Sequence, residues 1–265
     1  MRNYNRNFRD LFSFYRYSMR ESNSSKKVSR KSTDLDWYGG VTWDEACSLA
    51  THGWEKGLEE IECYRVELYE NIVNTIPTQA IAHDVSGYAV DVGAYLSNDP
   101  ACFLRRDIVE SVAKTRIVRV VVSLSASASV KPEIIIKRGA MICAMVDAME
   151  QAGYSVEIVG NEHTKSYRAT SETNIVLKQS NQPLNVSCLA FCLAHPAMLR
   201  RMLFSLKELI GWADYSDAYG IPIDATNQGD IYFGAICADR SPSTREMTET
   251  ILSKMKLFGI ELRII

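Results

Sequence analysis

Serines carry the chemistry that this sequence offers most openly. Ser123, Ser125, Ser127 and Ser129 alternate with small or apolar residues directly after a very apolar stretch, and Asp239 follows a second one far downstream. Hydroxyl and carboxylate oxygens gathered at strand ends suit a hard cation such as Mg²⁺, or hydrogen bonds to an anion. Small residues at a strand-to-helix turn also serve architecture, because they allow close backbone packing and their hydroxyls cap helices. Both readings stand on these residues. A nucleophilic serine would call for an elbow such as Gly-x-Ser-x-Gly and a base, and no such elbow surrounds them. His52, His83, His163 and His195 are dispersed, Cys188-x-x-x-Cys192 lacks zinc-ribbon spacing, and neither Gly-x-Gly-x-x-Gly nor a Walker-type Gly-Lys-Ser/Thr occurs. His83-Asp84 and Asp91 are candidates for an acid/base pair only in the sense that any such residues are.

The elements that must position the serines read clearly. Arg116–Leu124 is a β-branched run with little alternation, which predicts a strand covered on both faces. Pro132 suits the first turn of a helix running to about Ala152, and Gly153 suits its left-handed cap. Tyr154–Val159 is the next strand. Strand, crossover helix and strand make a βαβ unit with parallel strands and a right-handed crossover. Ligands of open parallel sheets sit beyond the carboxyl ends of the strands, where the serines fall.

The rest of the chain is read around this unit. Residues 1–33 hold nine basic residues (Arg2, Arg6, Arg9, Arg16, Arg20, Lys26, Lys27, Arg30 and Lys31) against Asp10 and Glu21, a net of +7, while the remainder carries 21 basic and 30 acidic residues, a net of −9. Phe8, Leu11, Phe12, Tyr15 and Met19 share one helical face, so this arm is expected to be an amphipathic helix followed by a linker over Ser22–Ser32. Its arginines and tyrosines suit nucleic acid or a partner protein, and equally a solvated arm or a helix packed on its own domain. Thr42-Trp-Asp-Glu45 is a capping box opening a helix that ends at His52-Gly53. A second helix is expected from Leu58 to Thr75, a short strand over Gly87–Leu96, a polar loop over Asn161–Ser171, and strands at Thr173–Gln179 and Leu184–Leu193 forming a hairpin. A helix from His195-Pro196 to Trp212, a strand at Ile231–Cys237 and a final helix and strand ending at Ile265 complete the reading. Three regions result: a basic aromatic arm (1–33), a helical hairpin with a short strand (34–110) and an α/β core (111–265).

The hydrophobic strand running into Ser123-Leu-Ser125-Ala-Ser127 resembles the first motif of von Willebrand factor A-type domains, Asp-x-Ser-x-Ser, with Ser123 in the aspartate's place. The resemblance implies a divalent cation held by Ser123, Ser125 and Ser127, completed by Asp239. Loss of the first carboxylate implies a degenerate site that holds Mg²⁺ weakly or not at all. Trp37-Tyr-Gly-Gly40, Gly53-Trp54-x-x-Gly57, Val90–Leu96 with Pro100, and Arg138-Gly-Ala140 are together similar to an uncharacterised family found largely in bacteriophage genomes, over about residues 35 to 265. The expected fold is therefore an α/β, Rossmann-like three-layer sandwich of von Willebrand A type, with a mostly parallel sheet and an N-terminal helical extension.

Composition narrows the function. The apolar share of 46 % and charged share of 23 % are those of an ordinary globular protein. No apolar run reaches the length of a membrane span, and the amino terminus has no apolar signal core. Seven scattered cysteines suit reduced thiols in a cytoplasm, that of a host if the chain is viral. The expectation is a non-enzymatic binding or assembly protein with a protein partner and no cofactor beyond weakly held Mg²⁺. A nucleic-acid accessory protein using residues 1–33 is the alternative, and a metal-assisted hydrolase built on Asp91, Asp239 and the serines is a third.

Overall fold

The computed structural model describes residues 2–21, 28–59, 61–63, 81–87, 89–106, 117–151, 154–212, 218–236, 246, 249–250 and 253–254. Its centre is β5 (Ile117–Ser123), in which Val118, Val120 and Val122 point into the main core and Val121 into a smaller one on the opposite face. The crossover helix α5 (Pro132–Gln151) returns the chain to β6 (Ser155–Lys165), which pairs parallel to β5 from Ile117↔Ser155 to Ser123↔Asn161. The expected βαβ unit is present. Gly153 lies outside the described residues, as do most of the expected helix Leu58–Thr75, most of the final helix, the final strand, Asp239, Lys26 and Lys27, while residues 246, 249–250 and 253–254 are helical as expected.

The sheet grows on both sides of this unit. Its order is β1-β7-β6-β5-β9, with β1 Arg2–Phe8, β7 Ala169–Lys178 and β9 Ile231–Phe233. The pairs β1/β7, β6/β5 and β5/β9 are parallel, β6/β7 is antiparallel, and the short β8 (Ile221–Pro222) pairs antiparallel with β6. The protein is thus α/β, with a mixed sheet of mostly parallel strands. A second, three-stranded antiparallel sheet has the order β2 (Ile81–Asp84), β4 (Phe103–Arg106), β3 (Ala89–Val90).

Four expectations change. Asn161–Lys165 is strand rather than polar loop: β6 continues to Lys165 and turns tightly at Ser166, whose N–H donates to the Ala169 carbonyl at 2.8 Å. The hairpin is therefore β6/β7. Leu184–Leu193 is not a strand. Val186–Ala194 forms α6, capped by Asn185, whose Oδ1 accepts from Cys188 N at 3.1 Å. A short run apolar on every side fits a buried helix as well as a buried strand. Among the described residues of Gly87–Leu96, only β3 is extended. Asp91 then caps α4 (Val92–Leu96), its Oδ1 accepting from Gly93 N at 2.9 Å and Ala94 N at 3.2 Å. Finally, the amino-terminal segment is not wholly helical. Residues 2–8 form β1, tied to β7 by Thr170 Oγ1 donating to Asn3 Oδ1 at 2.7 Å and Asn174 Nδ2 to Asn7 Oδ1 at 3.1 Å. Only Leu11–Ser18 is helix α1, and it buries Phe14 and Tyr15.

Helices α5, α6 and the stretch after it cover one face of the sheet. That stretch is a π-helical run, Met198–Leu203, continuing into α7 (Phe204–Leu209). The other face is covered by the chain between β8 and β9, where Ala225, with Tyr232 of β9, packs on Val121 and Val159 and Asp224 O accepts from His163 Nδ1 at 2.7 Å. The predicted capping box is present: Thr42 Oγ1 accepts from Glu45 N at 3.3 Å and Glu45 Oε2 from Thr42 N at 2.7 Å, opening α3 (Trp43–His52). No single helix among the described residues is long and apolar enough to cross a membrane.

The amino-terminal third is sewn on by two buried arginines of the π-helical run. Arg201 donates to the carbonyls of Ser29 at 2.7 Å and Val41 at 2.9 Å, its guanidinium 3.7 Å from the Tyr38 ring centre. Arg200 donates to the carbonyls of Trp37 and Val130, both at 2.5 Å, and lies 4.4 Å over the Trp37 ring.

Candidate functional site

The serine turn is held as a rigid frame. Ser123 is buried at the end of β5, and its Oγ accepts from Ser125 N at 3.4 Å. The Ser125 carbonyl accepts from Ile236 N at 3.1 Å, and Ser127 N donates to the Ile236 carbonyl at 2.8 Å, so the turn is pinned to the chain beyond β9. Arg138 of α5 clamps the same place, donating to the carbonyls of Ser123 at 3.1 Å and Gly234 at 2.6 Å. Burial lowers its pKa to about 10, which still leaves it a cation at neutral pH. Ser125 Oγ is buried and meets no hydrogen-bonding partner among the described residues.

Beside the turn lies a charge pair that sequence reasoning missed. Along β6, alternation aims Glu162 and Thr164 at the helical face. Glu162 and Lys207 of α7 are each 1 % exposed, with Glu162 Oε1 2.6 Å from Lys207 Nζ. The ammonium also donates to Thr164 Oγ1 at 2.5 Å and to the Tyr219 carbonyl, and lies 5.0 Å from the Trp212 ring centre. Glu162 Oε2 accepts no hydrogen bond from the described residues. Reading Asn161–Ser171 as a loop hid this. Extending the β6 alternation through Gly160 would have turned Glu162 inward.

These groups open on one cavity of about 120 Å³. Ser125 and Glu162 supply its polar wall, Arg200 a further edge, and Trp37, Phe204 and Tyr219 its aromatic wall. The Phe204 and Tyr219 rings are stacked, with centroids 3.7 Å apart and planes at 5°. Trp37 is latched over the rim by Nε1 donating to the Ala128 carbonyl at 3.1 Å. The cavity lies past the carboxyl end of β5, where a ligand is expected, and against the last residues of β6.

The described donors do not fit a divalent cation. Ser123 Oγ is turned back to its own turn, and the one carboxylate of the cavity already faces an ammonium that would repel a second positive charge. No group of three or more His, Cys, Asp or Glu residues among the described residues is placed to hold a metal.

The other singled-out residues lie apart from this cavity's lining. Arg2 and Arg6 are exposed along β1, and Arg9 pairs with Asp10 at 3.4 Å. Arg16 is exposed on α1, Arg20 lies 4.9 Å over Tyr17, and Lys31 is exposed at the end of α2 (Val28–Lys31). Arg30 is used internally, donating to Ser205 Oγ and the Ser18 carbonyl, both at 2.9 Å, and stacking 4.6 Å over Trp43. His83 Nε2 meets Asp91 Oδ2 at 2.8 Å, and that contact, with the α4 amides, holds the Asp91 carboxyl below its usual range. Asp84 instead accepts from Val85 N at 2.6 Å.

His195 caps α6 from within the protein. Its Nδ1 accepts from Ala197 N at 3.1 Å, while its ring stacks on Phe191 and meets Trp54 edge-on. Burial lowers its pKa to about 4. The unfolded chain takes up this proton near pH 6.5, well before the folded chain does, so the stability the neutral ring contributes is present above pH 6.5 and is lost as pH falls toward 4. By pH 5 the loss amounts to about 2 kcal/mol. In His195→Asn, whose amide oxygen can still accept from Ala197 N, urea melts at pH 7 and pH 5 should differ by about that much less than in the wild type.

Residues 1–259 match a family model described as a domain of unknown function, DUF7192. No curated protein and no solved structure matches the chain.

Proposed function

The chain belongs to the DUF7192 family, and we propose on the geometry of its crevice that it is a non-enzymatic binding or assembly protein, whose ligand or partner group enters past the carboxyl end of β5, against the last residues of β6. One observation carries this reading: two polar groups, Ser125 Oγ and Glu162 Oε2, are buried, face the same cavity and accept or donate no hydrogen bond among the described residues. Leaving such a group unmet costs about 1–3 kcal/mol, which a ligand recovers by pairing with it.

The core is read as von Willebrand A-like with a degenerate cation site. What supports this is the serine turn at the carboxyl end of a central parallel strand, followed by a crossover helix. In this reading the Lys207 ammonium stands in for the cation beside the serines. Bacteriophage origin, and with it a host cytoplasm, is the setting the sequence resemblance supports.

Two measurements on the whole chain test the proposal together. Binding to the folded state alone must raise the melting midpoint. Mg²⁺, Mn²⁺ and Ca²⁺ are therefore expected to leave it unchanged, whereas ligand-observed NMR with small ring compounds should detect binders that Ala128→Trp, a plug at the exposed rim, displaces. A metal-dependent rise that Asp239→Ala removes would restore a working cation site. Turnover of any substrate abolished by Ser125→Ala would overturn the non-enzymatic reading.

A further inference from the structure

We infer that the crevice takes a neutral, planar molecule of single-ring size bearing N–H donors, of which a pyrimidine base is the type. This rests on the binding reading above and adds the chemistry of the ligand.

Size comes first. A dry cavity of about 150 Å³ in another protein is known to hold benzene, so about 120 Å³ admits one ring and little more. Shape is set by the walls. The stacked pair Phe204 and Tyr219 and the ring of Trp37 give the cavity an aromatic lining, which suits a planar body.

Polarity then selects the edge of that body. An ionised carboxylate only accepts hydrogen bonds, so Glu162 Oε2 calls for a donor, and the hydroxyl of Ser125 can either donate or accept. A ring carrying an N–H beside a carbonyl satisfies both kinds of group.

Charge excludes the ions. The Glu162 charge is answered by Lys207 at 2.6 Å, and the Arg200 guanidinium lines the same cavity. An added cation would meet Arg200 in a poorly solvated site, and an added anion would meet Glu162. The Glu162–Lys207 pair sums to zero and the Arg200 donors are taken by the Trp37 and Val130 carbonyls, so the open Glu162 Oε2 sets the choice and favours a neutral donor.

The test uses the intact chain and three probes of similar size: uracil (neutral, with N–H donors), benzene (no donor) and benzamidinium (a cationic donor). Uracil should raise the melting midpoint with concentration and more than either other probe. Ser125→Ala should weaken uracil about five- to tenfold while leaving the benzene response unchanged, and Ala128→Trp should remove both. Ser125→Ala deletes one hydroxyl without touching the charge pair, so it is expected to fold. If benzene or benzamidinium binds better than uracil and the rim plug displaces it, the ligand class is wrong and the crevice still binds. Uracil binding indifferent to Ser125→Ala also sinks the ligand class. If none of the three binds, both the ligand class and the binding reading fall.

Discussion

Lys207→Met should unfold at a urea concentration that corresponds to a loss of about 3–5 kcal/mol, because it removes one partner of a buried pair and leaves the other charge without compensation. The ammonium it deletes serves Glu162, Thr164 and the Tyr219 carbonyl together, and Glu162 and Thr164 are buried. The pair as a whole is a different matter. Burial, the larger effect, pushes the Lys207 ammonium below its ordinary value, and the attraction of Glu162 restores only part of this. Desolvation therefore outweighs the Coulombic gain, and an apolar pair of similar volume should serve at least about as well. Lys207→Met with Glu162→Met is accordingly expected to recover most of the loss. Chemical denaturation of the two variants at pH 7 decides it. A single variant within about 1 kcal/mol of the wild type would show that the carboxylate finds other compensation, and a double variant as weak as the single one would show that the pair is worth more than its desolvation cost.

That pair also shows where a single sequence stops being informative. Val118–Val122, the Pro132 helix and the Thr42–Glu45 cap were legible because each is specified by neighbours: an unbroken β-branched run, a proline at a first turn, a cap and its partner three residues apart. The serine turn was legible for the same reason, and its place at the carboxyl end of β5 follows from the strand before it. Glu162 was not. A carboxylate in Asn161–Ser171 reads as solvated, and its burial is tolerable only because Lys207, 45 residues later, reaches back to it. Arg200 and Arg201 were hidden alike. A guanidinium belongs at the surface unless enough carbonyls converge on it, and those of Trp37, Val130, Ser29 and Val41 come from distant parts of the chain. β1 is the backbone version of the same problem. Arg2–Phe8 has no local reason to be extended, and its Asn3 and Asn7 meet their partners on β7 more than 160 residues away.

Gly139 carries the second large effect, and two local forces of opposite sign make its outcome diagnostic. It lies inside α5, where glycine is a poor helix former, so alanine should by propensity alone add about 1 kcal/mol of stability. Packing argues the other way. A Cβ on Gly139 would fall 2.2 Å from the Leu193 carbonyl oxygen and 2.3 Å from Ala194 Cα, at the end of α6. These are backbone atoms of a helix packed into the core, so no rotamer change can make room and α5 and α6 must separate. Overpacking of this kind costs about 1–3 kcal/mol for a modest clash and more where the obstacle is backbone. Gly139→Ala is therefore expected to be destabilised despite its better propensity, and Gly139→Val by 3 kcal/mol or more. Arg138 is the adjacent residue, and its guanidinium holds the Ser123 and Gly234 carbonyls. Any displacement of α5 thus loosens the serine turn, and amide exchange at Ser125 and Ser127 should accelerate more than exchange within β7. Equal or greater stability of Gly139→Ala would mean that the two helices can slide apart freely. The close crossing would then not be what positions Arg138, and the frame of the crevice would rest on the sheet alone.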